Sequence, residues 1–363
     1  MRLWSSAMIN NQTCVRCVND KTVKKIRFDK NGLCSHCTCY DRYKEKLSDY
    51  ENLEALFLKK LRREGEYDYD VALGFSGGKD STYVLYKLVK EYGLKVKAYT
   101  LDNGFMSSEA RVKIDRLIGE LGVDHEYVEC DMRLLRQMYK YIVGHYLSPC
   151  IACSFLGYAV MINYASKVNA RVGIHGRSTF QMFRGLSDSS DDVFRPFIDA
   201  GLDENEVDLD KLYGEIIGKI DLLVDKKLAS KIKEELLPDI QVNGYRDFLA
   251  YFLYHRYDQK EIVDFLKEHT SWRVESEEEH FDCLIHHGAL YLKNLIARRS
   301  HLMPEYSVMI NQGVLKKHDA IQKMAEPIDK TLAKKELKMF CKYAGLSYTL
   351  TLISAKIYSK RWW

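Results

Sequence analysis

Residues 76–81 read Ser-Gly-Gly-Lys-Asp-Ser, and this stretch is the one best suited to chemistry. Glycines let the backbone approach a bound anion, and the N–H groups at the start of a helix point toward it. The two serines add hydroxyl donors. The stretch therefore predicts a phosphate-binding loop formed by Ser76, Gly77 and Gly78.

Lys79, Asp80 and Ser81 are the predicted catalytic residues of this loop. We expect Lys79 to neutralise phosphate charge. Asp80 either helps to hold Mg²⁺ or stabilises the start of the following helix, where an acidic residue is worth about 0.3–1 kcal/mol. Ser81 adds a hydroxyl donor next to the phosphates.

Two Cys-x-x-Cys pairs near the N-terminus predict a metal site. Cys14 and Cys17 are separated by sixteen residues from Cys34 and Cys37, a spacing that fits a four-thiolate zinc site. The residues between the pairs are expected to form a short hairpin, as in a zinc ribbon. A closed four-cysteine site is usually structural, so we predict a structural Zn²⁺ and regard Cys39 as a spare thiol.

A third group of cysteines lies far from the first two pairs. Cys150 and Cys153 form another Cys-x-x-Cys pair, and Cys283 precedes two histidines much later in the chain. Three interpretations stay open. The pair could form a redox disulfide, all three thiols could hold a [4Fe–4S] cluster with one iron left open, or the thiols could simply be buried in the core.

The order of strands and helices predicts how these motifs are positioned. Short apolar runs predict strands at 71–75, 95–101, 124–128 and 171–176. Helical periodicity follows the loop and covers 107–121, so the pattern is α/β and predicts a parallel sheet with ligands at the carboxyl ends of its strands. Asp102, Gly176 and Arg177 follow such ends, and Arg177 and Arg184 could reach a phosphate or an anionic substrate.

The 363 residues are enough for two or three domains. We predict a zinc-ribbon-like module at 1–45, a nucleotide-binding domain at 46–200 and a helical substrate or partner region at 201–363. Within the last region, Ile220–Leu236 and Tyr245–Phe265 have the pattern of amphipathic helices. The net charge of +4 is too weak to indicate a nucleic-acid partner by itself.

Localisation is predicted from what the sequence lacks. No apolar run reaches the length needed to span a bilayer, and the first ten residues are too polar for a secretory signal. Together with cysteines spaced for metal binding, this predicts a reducing, cytoplasmic setting. We expect the last four residues, Lys360–Trp363, to form a docking tail or an interface.

The 76–81 loop resembles the SGGxDS loop of the PP-loop ATP pyrophosphatase superfamily, whose members split ATP into AMP and pyrophosphate. It differs from a Walker-type loop, because Leu73 stands in place of the first Gly and Asp80 in place of the Ser or Thr after the Lys. The resemblance implies an adenine nucleotide alpha hydrolase-like domain that binds ATP and Mg²⁺. It also implies that Asp102 contacts the adenosine, unless it is a turn residue, and that Gly176 lies near the phosphates.

The chain as a whole resembles the N-acetyl sugar amidotransferase family. The resemblance rests on the loop, on the ribbon with Phe28-Asp29 and 32–34, and on Asp282-Cys283 with a nearby His; 311–313 and 317–321 match a C-terminal motif more loosely. That family acts in surface-polysaccharide biosynthesis and converts a sugar N-acetyl group to an acetamidino group. The resemblance implies a nucleotide-activated sugar as substrate, and glutaminase and cyclase-like partners that supply ammonia.

The internal Cys150–Cys153 pair is a departure from that family, so sulfur transfer is the alternative. In that case an ATP-dependent sulfur transferase would act on tRNA or a small molecule, with Cys150, Cys153 and Cys283 carrying a [4Fe–4S] cluster or a persulfide. The weak net charge counts against tRNA, because phosphate binding normally needs a basic face, whereas the zinc ribbon counts for it.

Overall fold

The computed structural model describes residues 12–23, 25–62, 64–184, 195–205, 207–218, 220–274, 283–297 and 299–361. Its strands within these ranges are β1 (Tyr69–Gly74), β2 (Val96–Asp102), β3 (Asp124–Glu129), β4 (Ala170–His175) and β5 (Asp247–Ala250). The expectations for Asp282 and for Trp362 and Trp363 lie outside the described residues.

Helices surround these strands and make up most of the C-terminal half. They are α1 (Ser35–Tyr43), α2 (Tyr50–Leu61), α3 (Lys79–Tyr86), α4 (Ser108–Leu121), α5 (Met132–Tyr146), α6 (Pro149–Lys167), α7 (Thr179–Phe183), α8 (Arg195–Gly201), α9 (Leu209–Gly218), α10 (Ile220–Leu223), α11 (Lys226–Leu236), α12 (Ile240–Asn243), α13 (Tyr251–Tyr254), α14 (Gln259–His269), α15 (His286–Ala297), α16 (Met303–Asn311), α17 (Lys317–Met324), α18 (Lys330–Ala344) and α19 (Tyr348–Arg361).

The five strands form one parallel sheet in the order β3-β2-β1-β4-β5. Successive side chains of a strand point to opposite faces, and the central strand shows this directly. Val71 and Leu73 belong to the core shared with α2, α3, α4 and α14, whereas Ala72 belongs to the core shared with α5, α6 and α11. Both faces of the sheet are thus covered by helices, which confirms the predicted α/β class.

The four predicted strands are confirmed as β1 to β4, but the predicted Tyr245–Phe265 helix is wrong. That segment contains β5, α13 and α14, and β5 pairs with β4 from Val172 opposite Asp247 to His175 opposite Ala250. A short apolar run cannot be assigned to a strand or a helix by its periodicity alone. In this segment the hydrogen-bonded pairing with β4 determines that residues 247–250 form a strand. The Ile220–Leu236 helix is also two helices, because Asp225 accepts a hydrogen bond from the N–H of Leu228 and begins α11.

The structure also corrects the expectation about apolar length. By length and composition α6 could cross a membrane, although 61% of its most apolar window is buried within the protein. Its buried side chains, among them Leu156 and Val160, pack into the core on one face of the sheet. The apolar character of α6 is accounted for by this position. The predicted domain limits stay a prediction. The sheet itself includes β5, a strand that lies beyond residue 200.

Candidate nucleotide site and cysteine clusters

The strand order places the predicted loop at the switch point of the sheet. From β1 the chain moves to β2 and β3 on one side and then to β4 and β5 on the other, so β1 and β4 are neighbours whose connections diverge. Ligands of such sheets bind beyond the carboxyl ends of the strands at this point. The 76–81 loop follows β1, and Gly176 follows β4.

Gly176 lies directly against the first turn of α3. A Cβ atom at Gly176 would be 3.1 Å from the Cα of Ser81 and 3.2 Å from the carbonyl oxygen of Asp80. These atoms belong to the backbone and have little freedom to move. The structure therefore brings Gly176 and the 76–81 loop together, as the sequence analysis expected, and it does so through a contact that only glycine allows without displacement.

We expect Gly176→Ala to displace the start of α3 and to weaken nucleotide binding. The added methyl group would lie closer to backbone atoms than about nine in ten real Cβ atoms do, and overpacking typically costs about 1–3 kcal/mol. Gly119→Ala is the matched control, because Gly119 is an exposed position inside α4 with open space around it, and alanine there should stabilise by about 0.5–1 kcal/mol. Urea unfolding of both variants checks this; equal stability would contradict the tight contact.

The loop is held in shape by its own serines and by Gly77. Gly77 has φ of +72°, and a Cβ atom there would be 2.8 Å from Cγ1 of Ile114. The Ser81 hydroxyl lies 3.2 Å from the Ser76 hydroxyl, accepts from the Ser76 N–H at 3.2 Å and donates to the Gly78 carbonyl. Ser76 and Ser81 thus shape the backbone around the anion position. The first backbone N–H groups of α3 have no hydrogen-bond acceptor within the helix, so they are available to bind a phosphate.

Lys79 and Asp80 face each other at the start of α3. Their Nζ and Oδ2 atoms are 3.6 Å apart, and both side chains are largely buried. Tyr257 donates its hydroxyl to Oδ1 of Asp80 at 3.1 Å. Sequence reasoning missed Tyr257, which is 177 positions away and lies in no recognisable motif. Nothing in these contacts decides between Mg²⁺ binding and helix stabilisation for Asp80, so both stay predictions.

Asp102 shapes the turn after β2. It forms an ion pair with Arg111 and accepts a hydrogen bond from the Gly104 N–H at 2.8 Å. Arg111 in turn stacks on the Tyr127 ring at 4.4 Å, and the Asp102 carboxylate helps to raise the pKa of its guanidinium. The structure thus shows Asp102 as a residue that stabilises a turn, which the sequence analysis kept as an alternative. The predicted contact between Asp102 and adenosine stays a prediction.

Arg177 follows Gly176 but directs its guanidinium toward α6. Its side chain stacks on the Tyr158 ring at 4.8 Å and donates to the Tyr158 hydroxyl. Its backbone N–H donates to Nδ1 of His175 at 3.2 Å. Burial, together with the Arg177 charge, lowers the pKa of His175 to about 3, so the imidazole is neutral at pH 7 and can accept this hydrogen bond.

This hydrogen bond predicts a pH dependence of stability. The folded pKa of His175 is about 3, against an ordinary value of 6.5, so between these values the unfolded chain binds a proton that the folded chain does not. The free energy of unfolding should fall as the pH drops from 6.5 toward 3, by at most about 1.4 kcal/mol per pH unit from this group. His175→Asn retains an acceptor without titrating. Urea unfolding at pH 7 and pH 5 should show a smaller loss in the variant, and identical losses would contradict the assignment.

The four N-terminal cysteines meet as predicted. Their sulfur atoms are buried and lie within 4.8 Å of one another, with 3.9 Å between Cys14 and Cys37 and 3.7 Å between Cys17 and Cys34. Tetrahedral zinc with Zn–S bonds of about 2.3 Å separates its sulfurs by about 3.8 Å. The donor set therefore fits a four-thiolate zinc site, and Cys39 lies outside it. The antiparallel bridge between Phe28 and Cys34 confirms the expected hairpin.

The four-cysteine module packs against α16 and α17. Lys317 donates to the Cys14 carbonyl at 2.5 Å, and Arg16 donates to Oδ1 of Asn311 at 3.4 Å. An apolar cluster joins the same surfaces and contains Val18, Val23, Met303 and Ala320. The stretches 311–313 and 317–321 match the C-terminal family motif loosely. They thus belong to the surface on which the four-cysteine module packs.

Cys153 and Cys283 reach the same loop after β2. Asn103 donates to Sγ of Cys153 at 3.6 Å, and the Tyr139 hydroxyl is 2.9 Å from that sulfur. Cys283 forms an antiparallel bridge with Met106. Cys150 is exposed, one turn before Cys153 on α6. The structure thus brings together two thiols that are 130 positions apart in the sequence, with the third nearby.

The electrostatic setting of this second group differs from that of an activated thiolate. Burial and the neighbouring Cys150 and Cys283 raise the pKa of Cys153 to about 12. Among the described residues only the N-terminal cysteines have zinc-like spacing. A [4Fe–4S] cluster on Cys150, Cys153 and Cys283 stays a prediction.

Half-buried His287 and buried Glu336 form a pair that the sequence analysis did not identify. Glu336 of α18 is 2.9 Å from Nδ1 of His287 and accepts from the Gly288 N–H at 2.8 Å. A Cβ atom at Gly288 would be 2.8 Å from the Leu337 nitrogen, so α15 and α18 approach closely here. The pair fixes the start of α15 just after Cys283. No local pattern could have linked residues 49 positions apart.

Comparisons with curated proteins give distant relatives. No family model matches the chain. An uncharacterized protein of Methanocaldococcus jannaschii is 29% identical over 148 residues, 39% of this chain and 50% of that protein. A second uncharacterized protein of that organism is 28% identical over 135 residues, 35% of this chain and 50% of its own length. The chain thus spans about half the length of the curated relatives it matches.

Three solved structures are similar at low identity. The U34-tRNA thiolase NcsA from Methanococcus maripaludis, solved with its [4Fe–4S] cluster, is 15% identical with a TM-score of 0.36, over 88% of this chain and 91% of that one. The NH3-dependent NAD synthetase from Campylobacter jejuni is 16% identical, with a TM-score of 0.31 over 52% and 93%. The NMN synthetase from Francisella tularensis is 16% identical, with a TM-score of 0.27 over 53% and 91%. Likeness at this level assigns no activity to the chain.

Proposed function

We propose that this chain binds ATP at the β1–β4 switch point and transfers AMP to an amide or carbonyl oxygen. The observation that carries the proposal is the contact between Gly176 and the first turn of α3, which closes the 76–81 loop around an anion position. Lys79 begins α3 at the same place. A glycine loop, a helix start and a lysine together provide what a triphosphate requires.

The proposed chemistry has two displacements. The acceptor oxygen attacks the α-phosphorus, a P–O bond forms to the acceptor, and the bond to the β-phosphate breaks with release of pyrophosphate. Ammonia then attacks the activated carbon, loses protons to solvent, and AMP leaves with the original oxygen. Lys79 and the N–H groups of the loop stabilise the phosphate charge, and a bound Mg²⁺ would add to this stabilisation. Asp80 could help to hold that Mg²⁺, while Tyr257 fixes its carboxylate.

Nitrogen transfer to an N-acetyl sugar is the preferred form of this reaction. Support comes from the resemblance of the loop and ribbon to the N-acetyl sugar amidotransferases, and from the way the ribbon packs on 311–313 and 317–321. In this proposal the substrate is a nucleotide-activated sugar of surface-polysaccharide biosynthesis. Glutaminase and cyclase-like proteins supply the ammonia, and the reaction takes place in the cytoplasm.

The test supplies ammonium directly and thereby removes the need for partner proteins. The chain is incubated with Mg²⁺, ATP, ammonium chloride and a panel of nucleotide-activated N-acetyl sugars, and AMP, pyrophosphate and sugar mass are measured. We expect equal amounts of AMP and pyrophosphate, and a sugar in which NH has replaced O. Release of ADP and phosphate would contradict adenylation. AMP formation with sulfide instead, and S in place of O, would identify sulfur transfer.

Sulfur transfer to tRNA or a small molecule is the second candidate. The convergence of Cys153 and Cys283 at the loop after β2 favours it. These two thiols and Cys150 would hold a [4Fe–4S] cluster, and its open iron would supply a bound sulfide. Anaerobic purification with iron and sulfide analysis tests this candidate. Iron that is lost in Cys150→Ala supports it, and about one zinc per chain without iron contradicts it.

A further inference from the structure

A small cavity lies at the carboxyl ends of β4 and β5. His175 and Ala250, the last residues of these two strands, line it together with Phe248. Helices close it on the other sides, and their side chains in its wall are Tyr158, Met161, Met182, Ile198 and Leu253. The cavity thus lies at the edge of the sheet where ligands of such folds bind.

The cavity is next to the proposed nucleotide site. In the sheet, His175 is in register with Gly74 of β1 on one side and with Ala250 of β5 on the other. The 76–81 loop begins two residues after Gly74, and Gly176, the residue after His175, lies against the first turn of α3. Neighbouring strands are about 4.8 Å apart, so the cavity is within about 10 Å of the strand that leads into the loop. An acceptor bound at the α-phosphate could therefore reach the cavity with a short substituent.

The size and the walls of the cavity suit a methyl group. It measures about 20 Å³, where a single water molecule needs about 10–15 Å³ of such space. Its side-chain walls are apolar except for His175 and Tyr158, and the Tyr158 hydroxyl already accepts from Arg177. A buried water needs two to four polar partners. An apolar group of one or two carbon atoms is therefore a better occupant than water.

His175 adds one hydrogen-bond donor to these walls. Its Nδ1 accepts from the Arg177 N–H at 3.2 Å and the ring is neutral at pH 7, so the ring proton is on Nε2. The ring stacks on Phe248 with 5.1 Å between the two ring centres. No described residue accepts a hydrogen bond from Nε2. One donor among apolar walls matches an acyl group, because its methyl group needs the walls and its carbonyl oxygen needs the donor.

We propose that this cavity receives the methyl end of an acetyl group on the acceptor and thereby restricts the acceptor to short acyl chains. The inference rests on the proposed function, since it takes the attacking oxygen to be the carbonyl oxygen of that acyl group. The His175 Nε2–H would donate to one lone pair of this oxygen, and the other lone pair would attack the α-phosphorus. A longer acyl chain would have to displace packed side chains such as Met161 and Leu253.

Binding of a small amide tests the cavity without any reaction. The full chain carries [¹³C-methyl]methionine and is titrated by NMR with N-methylacetamide and, separately, with N-methylbutyramide. We expect saturable shifts of the Met161 and Met182 methyl signals with the first amide and at least tenfold weaker binding of the second. The signal of Met303, buried on α16, should not move. His175→Asn keeps an acceptor for the Arg177 N–H but removes the ring donor, and should weaken binding about two- to tenfold.

Acyl-chain selectivity tests what the cavity does in the reaction. With ammonium, Mg²⁺ and ATP, kcat/KM for AMP release should be at least tenfold higher with an N-acetyl than with an N-propionyl sugar nucleotide, because one methylene changes discrimination about 10–200-fold in apolar pockets. Met161→Ala enlarges the cavity and should lower this ratio below about threefold. Met303→Ala is the matched control, since Met161 and Met303 are 7% and 6% exposed but Met303 packs against the four-cysteine module. It should leave the ratio unchanged, and circular dichroism verifies that each variant is folded.

The two experiments separate this proposal from the proposed function. Absence of saturable shifts at Met161 and Met182 would overturn the cavity as an acyl site, and so would equal use of both acyl chains by the wild type or an unchanged ratio in Met161→Ala. AMP release together with any of these results would leave the proposed function intact. Binding of N-methylacetamide in the cavity without AMP release from any acceptor would instead contradict the proposed function and leave the acyl site standing.

Discussion

Replacing Lys79 with alanine should weaken the binding of Mg²⁺ and a non-hydrolysable ATP analogue by about 10- to 100-fold. Hydrogen bonds to charged groups contribute about 1.5–3 kcal/mol, and Lys79 begins α3 where the phosphates are expected. AMP formation should fall further, by about 10²–10³-fold, since the lysine also stabilises charge that develops during displacement. Calorimetry measures the first effect, and AMP release with ammonium and the acceptor measures the second.

Lys87→Ala is the control for this experiment. Lys87 lies two turns further along from Lys79, pairs with Glu91 at 2.6 Å and lies over the Phe265 ring at 5.1 Å. Its loss removes one positive charge without touching the loop, so nucleotide binding should be unchanged. If Lys79→Ala binds the analogue as tightly as the wild type, the triphosphate does not lie at the start of α3. The proposed function would then be wrong, whatever the acceptor is.

Much of this site could be predicted from the sequence because its parts are local. The loop, its glycines and the start of α3 occupy six consecutive residues, and β1 before them is a clear apolar run. The alternation of strands and helices also predicts that Gly176 lies at the same edge of the sheet. The four cysteines are local in the same sense, since each pair lies in one turn.

The parts that could not be predicted depend on tertiary contacts. Tyr257 reaches Asp80 from a segment whose short apolar runs suggest one helix, whereas pairing with β4 makes its first part a strand. Arg111 forms an ion pair with Asp102 because the turn after β2 directs the Asp102 carboxylate toward α4. The meeting of Cys153 and Cys283 depends on Met106, which no spacing rule connects to either of them.

Removing zinc should unfold the N-terminal module and release it from α16 and α17. Residues 14–37 bury four sulfur atoms and few apolar side chains, so metal binding, worth about 10–16 kcal/mol in small zinc domains, would supply most of the folding free energy of this module. Cys17→Ser should remove one ligand and lower the metal content from about one zinc per chain. Hydrogen exchange should then rise in 14–37 and also in α16 and α17, where Lys317 loses the Cys14 carbonyl.

Cys39→Ala separates ligand loss from the loss of a buried thiol. Cys39 is 1% exposed on α1, two residues beyond Cys37, yet it lies outside the four-cysteine cluster and packs in the core with Tyr40 and Leu53. Its replacement should lower overall stability modestly and leave the zinc content and the exchange of 14–37 unchanged. Full zinc content in Cys17→Ser would mean that the four sulfurs, despite their tetrahedral spacing, are not the ligands. Unchanged amide hydrogen exchange in α16 and α17 after zinc removal would mean that these two helices stay folded without the four-cysteine module packed on them.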